Sequence, residues 1–159
     1  MPAPPLTPLA AAALHVGAPE RILQLECGDG EGALFLAREV PRASVRGIDR
    51  SEDAVRAAGG RVGLDPEGRV AFKPGRPAAI PFPDDHFDLL ALIDARPKPA
   101  EAARVLRPSG HLILASSSSP DATPGRLLRW SLSRHGLSHV LSERAGDGAF
   151  AIYRLKGLG

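Results

Sequence analysis

The stretch RILQLECGDGEG, Arg21–Gly32, decides how the rest of the chain is read. Its first half is an apolar run of strand length, and its second half is a knot of carboxylates and glycines at Gly28, Gly30 and Gly32. Glycine has no Cβ, so such a loop turns tightly and lets a ligand approach the backbone. In an open α/β sheet, ligands bind beyond the carboxyl ends of the strands, and the loop after a first strand is such a place.

Working outward, Ala33–Val40 carries Leu34, Leu36, Ala37 and Val40 at amphipathic helical spacing and stops at Pro41. Ala43–Asp49 reads as the second strand. Ser51 is placed to cap the next helix, with Glu52 and Asp53 in its first turn and Gly59 and Gly60 at its end. Val70–Lys73 is a short third strand, and Pro74–Asp85 is a Pro-rich loop. Phe87–Ile93 is almost continuously apolar, as a central parallel strand covered on both faces must be.

Beyond it come a short helix over Pro99–Leu106, a PSG turn at 108–110 and a buried strand over His111–Ala115. The linker SSSSPDATPG leads to a helix from Gly125 to His135, a strand over Leu137–Glu143, a GDG turn and a last strand over Ala149–Leu155. Too little chain joins the last two strands for a crossover, so they pair antiparallel. The expected fold class is α/β: a three-layer sandwich around about seven strands, mostly parallel with the last one reversed.

Composition agrees with one folded domain. Of 159 residues, 43% are apolar and 24% charged. Residues 1–17 read as a Pro/Ala-rich tail with a short helix, ahead of a single domain over 18–159. The formal charge is only +2 and the arginines are scattered, so nucleic acid is not indicated. Cys27 is the only cysteine, which excludes an internal disulfide and a cysteine-based zinc cluster. The apolar N-terminal stretch lacks a basic leader and is too short to span a bilayer, so no membrane partner is expected and the location expected is cytoplasmic.

GDGEGA satisfies the loose G-x-G-x-x-[GA] pattern, and Asp49 follows Gly30 by 19 positions at the end of the second strand. A carboxylate there accepts from the hydroxyls of a ribose, so the ligand contains a nucleoside. That pattern fits NAD as well as S-adenosylmethionine. The second half of the chain discriminates. GRVAFKPGRPAAIPFPDDHFDLLALID followed by RVLRPSGHLILAS resembles the class I S-adenosylmethionine-dependent methyltransferases, whose Pro-Phe segment leads into a Phe-Asp strand and whose later Arg-Val-Leu-x-Pro-Gly-Gly turn feeds the next. With ILQLECGDGEG and VRGIDRS, the resemblance runs from Ile22 to Ala115.

The resemblance implies S-adenosylmethionine as cofactor, with Gly28 and Gly30 under its methionine part, Asp49 on its ribose, Arg50 and Pro77 (with Ala78) about its adenine, and Ile93 at the end of the fourth strand. Three positions depart from the family pattern. Gln24 stands for an acid, Glu26 for the first glycine, and Arg76 for the aspartate that accepts from the adenine amine, which an arginine cannot do. Glu26 is placed either to take the cofactor's ammonium group or to repel its carboxylate.

Methyl transfer from a sulfonium needs mainly alignment, and a base only where the nucleophile must lose a proton. Asp94, at the end of the fourth strand, is the catalytic candidate for orienting the acceptor or taking its proton; its bland alternative is a turn cap before Pro97. His86 and His111 precede their strands and belong at the opposite edge. Trp130 reads as a core or partner-facing anchor, and Cys27 as a small buried residue. Asp84, Asp85 and Asp88 lack a spaced partner ligand, so no metal is expected.

Two functions follow. One is a small methyltransferase of unidentified acceptor, whose short connections imply an open site or one completed by a partner protein or second copy. The other is a noncatalytic scaffold of the same fold that has lost S-adenosylmethionine and its demethylated product as ligands.

Overall fold

Ile22, Leu23, Gln24 and Leu25 each find a buried place on one face or the other of a sheet, which is why the first apolar run is a strand. In the computed structural model, which describes residues 5–158, the elements are α1 (Thr7–Ala13), β1 (Arg21–Leu25), α2 (Glu31–Glu39), β2 (Ser44–Asp49), α3 (Glu52–Gly60), β3 (Val70–Pro74), β4 (Phe87–Ile93), α4 (Pro99–Val105), β5 (Leu106–Ser116), α5 (Arg126–Arg134), β6 (Leu137–Ala145) and β7 (Gly148–Leu155). The first residues of the expected tail, 1–4, lie outside the described residues.

The seven strands form one sheet in the order β3-β2-β1-β4-β5-β7-β6. β1 to β5 pair in parallel, while β7 runs antiparallel to both β5 and β6. The reversed last strand is therefore the expected one, slotted between β5 and β6. Gly148 has to be glycine at this junction, because a Cβ would sit on the Ser116 carbonyl oxygen.

Alternation along β4 supplies both core faces. Leu90 and Leu92 join a cluster with Leu23, Leu25, Val105 of α4 and Leu132 of α5. Leu89 and Ala91 join the opposite cluster with Leu36 of α2, Phe150 of β7, and Leu9 and Ala12 of α1. Each fully buried Leu contributes about 2 kcal/mol. The short N-terminal helix thus packs in the same apolar layer as α2.

Local differences from the sequence reading have physical causes. α2 begins at Glu31, two residues before Ala33, because Gly30 at φ +86° turns the chain directly into the first helical turn. Ser51 caps α3 as expected, its Oγ accepting from the Ala54 amide at 3.1 Å. The PSG turn does not interrupt β5; it bulges within it. Phe87 pairs with Leu106 and Leu89 with His111, so the excess residues between Leu106 and His111 loop outward through Ser109 at φ +70°. Among the described residues no helix is long and apolar enough to cross a membrane.

Strand order reverses between β1 and β4, which lead to opposite sides of the sheet. At such a switch point the loops beyond the carboxyl ends diverge and leave a crevice.

Candidate active site

The loop that leaves β1 is held by three hydrogen bonds from its backbone amides, two to carbonyls and one to a carboxylate. Cys27 N–H donates to Ile48 O at 2.9 Å, Gly30 N–H to Cys27 O at 2.9 Å, and Gly28 N–H to Asp49 Oδ2 at 2.9 Å. Asp49 is 8% exposed, and its Oδ1 accepts from the Ser51 amide at 2.9 Å. One carboxylate therefore ties the β1 loop to the start of α3. Each of its oxygens keeps a second lone pair for a hydroxyl donor.

The glycines of the knot have different reasons. A Cβ on Gly30 would come within 2.9 Å of Ala58 Cβ and 2.8 Å of the Phe72 ring, so close packing requires glycine there. Gly28, at φ +56°, has nothing within 4 Å of a Cβ position: its backbone faces open space. Beneath the loop, Gln24 is 3% exposed, packs on Gly32, and its Oε1 is buried with no hydrogen-bond partner among the described residues.

Glu26, at φ +53°, reaches across the crevice to Arg50. Its Oε1 accepts from Arg50 Nη2 at 2.9 Å and Nε at 3.2 Å. The hydrogen bond that Arg50 donates to Glu26, and then the Glu26 charge, raise the guanidinium pKa above its ordinary value. The pair, invisible in the sequence, neutralises the one carboxylate that replaces a family glycine. Cys27 is buried, and desolvation followed by the Asp49 charge pushes its thiol up to about 12, so it is neutral and inert at ordinary pH.

At the end of β4, Ile93 packs partly buried on the α1/α2 side of the sheet. Asp94 has φ +55°, and its carboxylate accepts from the Ser117 amide at 2.9 Å and from the Ser117 hydroxyl at 2.5 Å. Its own N–H donates to Ala115 O at 2.9 Å, so the residue staples β4 to the end of β5. Ser117 belongs to a serine run that sequence reading treats only as linker. A cleft of about 340 Å³ opens beside it, lined by Asp94, Arg96, Pro97, Ser116, Asp121 and Leu128 among others. A neighbouring cleft of about 580 Å³ contains Arg50, Arg76 and Pro77, and shares Arg96, Pro97 and Leu128 with the first.

The fold thus brings Glu26, Gly28, Asp49, Arg50, Pro77 and Asp94 to one end of the sheet, with Gly30 packed just behind. His86 lies at the other end, stacked on Phe82, where burial and then the Arg21 charge lower its pKa. His111 is lowered by burial and by Arg154. Of the two readings for Trp130, the core one fails: it is 60% exposed beneath the Arg134 guanidinium, and Leu127 one turn away is 84% exposed. Asp84 pairs with Arg104 and Asp88 with Arg107 and the Glu20 and Arg21 amides.

Known proteins resemble this chain in sequence and in fold. The chain is 33% identical over 109 residues to a ubiquinone/menaquinone biosynthesis C-methyltransferase of Geobacter sulfurreducens, covering 63% of this chain and 43% of that protein. It is 37% identical over 117 residues to the 27-O-demethylrifamycin SV methyltransferase of Amycolatopsis mediterranei, covering 69% of this chain and 43% of that one. The chain spans less than half the length of these relatives. A solved S-adenosylmethionine-dependent methyltransferase from Aquifex aeolicus superposes with a TM-score of 0.73 at 21% identity, over 94% of this chain and 90% of that one, which shows the shared fold. The family profile described as a methyltransferase domain matches residues 22–110, more than half of the chain, and the chain belongs to that methyltransferase-domain family.

Proposed function

We propose that the chain is an S-adenosylmethionine-dependent methyltransferase whose cofactor lies in the crevice between the β1 loop, Asp49 and the end of β4. The observation that carries this is the pairing of an open backbone at Gly28 with a buried Asp49 that still has acceptor capacity facing the same loop.

The residues present fit the group. The orphaned Gln24 Oε1 offers an acceptor beneath the loop, and a buried acceptor without a partner costs about 1–3 kcal/mol until something donates to it. Asp49 would hold the ribose, Gly28 would lie along the methionine part, and Pro77 would wall the adenine, with Arg50 across from it. Glu26 is already neutralised by Arg50, so it does not repel a cofactor carboxylate. Two of the three departures that motivate the noncatalytic reading, Gln24 and Glu26, are thereby accommodated.

S-adenosylmethionine supplies an electrophilic methyl group on a sulfonium sulfur, and the protein's task is to align a nucleophile behind it. The cleft beside Asp94 is the candidate acceptor site. Asp94 would orient the acceptor through its remaining lone pairs while Ser117 fixes its rotamer; as a base it would act only on an acceptor that carries a proton.

Calorimetric titration with S-adenosylmethionine and S-adenosylhomocysteine tests the proposal. Micromolar binding of both, lost in a folded Asp49→Ala chain, supports it; absence of binding at millimolar ligand contradicts it.

A further inference from the structure

β6 is an edge strand of the sheet, and its pairing with β7 is irregular. His139 opposes Tyr153 and Leu141 opposes Ile152, so Val140 is an extra residue, 52% exposed, in a β-bulge. Residues three apart in a regular strand point to opposite faces. The bulge cancels that alternation. His139 opposite Tyr153 and Ser142 opposite Ala151 fall on one face, the face whose Tyr153 and Ala151 cluster with Leu132 of α5. They meet there, with His139 Nε2 2.7 Å from Ser142 Oγ, and the imidazole stands edge-on to the Tyr153 ring at 5.5 Å.

A cavity of about 560 Å³ opens between this pair and α5. Arg129 and Ser133, one turn apart, line it from the helix, His139 and Ser142 line it from the strand, and the buried Leu137 and Tyr153 supply apolar surface. No Asp or Glu lines it. Arg129 ends on no carboxylate among the described residues. Burial raises the Tyr153 pKa and the Arg129 charge opposes the rise, so the guanidinium lies close to the phenol. Cavities of about 300–1,000 Å³ that join apolar walls to a few convergent polar groups are those that take small molecules. This one is separate from the crevice: it shares Thr123 alone with the cleft beside Asp94, and nothing with the cleft that contains Arg50 and Pro77.

We propose that this cavity is a second ligand site, for a small aromatic carboxylate that carries a hydroxyl group. The ring lies on Tyr153 and Leu137, the carboxylate meets Arg129 and the Ser133 hydroxyl, and the ligand hydroxyl joins the His139–Ser142 pair. The anion follows from a cation unmatched by any carboxylate in the cavity. The aromatic body follows from two rings that already meet edge-to-face in the wall, an arrangement a third ring extends. A hydroxyl both donates and accepts, so it fits the pair in either histidine tautomer. The site stands on this cavity alone and does not depend on the methyltransferase reading.

The test uses the full chain, with and without S-adenosylhomocysteine. Amide chemical shifts locate 4-hydroxybenzoate, and calorimetry compares it with the neutral 4-hydroxybenzamide. The benzoate should move the His139 and Ser142 amides and leave those of Gly28 and Asp94 in place, whether or not S-adenosylhomocysteine is present. It should bind about tenfold tighter than the amide, the gain of one charge-assisted contact, with the difference shrinking at high salt. Arg129→Gln should remove that preference, whereas Arg126→Gln, on the same helix but outside the cavity, should keep it. Both arginines are exposed, so neither substitution disturbs the core. His139→Phe keeps a ring but loses the bond to Ser142, and should weaken both probes alike. No shift at millimolar benzoate, shifts confined to the Gly28 and Asp94 loops, equal affinity for anion and amide, equal effects of the two arginine variants, or unchanged affinity in His139→Phe overturns the site. Failure of S-adenosylhomocysteine to bind would instead remove the cofactor reading and leave this site standing.

Discussion

Replacing Asp49 by Ala perturbs the unliganded protein as well as any cofactor site. The carboxylate is 8% exposed and accepts from two backbone amides, Gly28 N–H and Ser51 N–H, both at 2.9 Å. Removing it leaves two part-buried donors without partners. Each unmet donor costs about 1–3 kcal/mol, and water reaches the crevice side of the Gly28 amide, so the expected loss is about 2–4 kcal/mol. Asp49→Asn keeps one acceptor oxygen and turns an NH₂ toward the other amide, so its loss should be about half as large. Urea unfolding of the unliganded chain measures both. A loss below about 0.5 kcal/mol for Asp49→Ala would show that the carboxylate does not brace the loop, and the argument for a shared structural and ligand role would fall.

Gly30→Ala should destabilise by about 2 kcal/mol or more, since its Cβ meets Ala58 and Phe72 within 2.9 Å at a positive φ, while Gly28→Ala should cost only the local strain of about 1 kcal/mol; thermal melts that rank them the other way would contradict the packing assignment. Cys27 should resist alkylation at pH 8 in the native state and react only as fast as the chain unfolds; rapid native-state labelling would refute its buried, neutral state. Because its pKa rises from 9.0 to about 12 on folding, the unfolded chain loses this proton first: its contribution is full below pH 9 and falls as pH rises toward 12, which denaturant titrations at pH 8 and 10 would resolve. Arg104→Ala should cost about 1–3 kcal/mol, because it leaves the Phe82 carbonyl without its donor and takes one of two donors from Ile80 O and from the Glu101 carboxylate; an unchanged urea midpoint would contradict this.

Elements whose signals are local were legible in the sequence: the alternation of β and α, the doubly covered β4, the Ser51 cap, and the reversed hairpin fixed by the short GDG connection. What escaped depends on residues brought together only by the tertiary fold. Asp49 reads as a ligand group, yet its two amide partners are set by the loop path. Glu26 and Arg50 are 24 positions apart, and nothing in either segment announces their ion pair. The PSG stretch reads as a break because proline and glycine usually end a strand, but β4 and β5 stay paired on both sides of it. The arginines look scattered along the chain, and the fold gathers Arg76, Arg96 and Lys98 from two separate loops into one cleft. Trp130 sits among leucines in the sequence, but on a helix of which Leu132 is the one fully buried side chain, it faces out.

The most direct test of the central claim is to locate S-adenosylhomocysteine on the protein by amide chemical shifts. Addition of the ligand should move the Gly28 backbone amide and the Gln24 side-chain amide, and leave Gly148 at the far side of β5 unmoved. Shifts confined to other regions, or none at saturating ligand, would contradict the assignment of this crevice as the cofactor site.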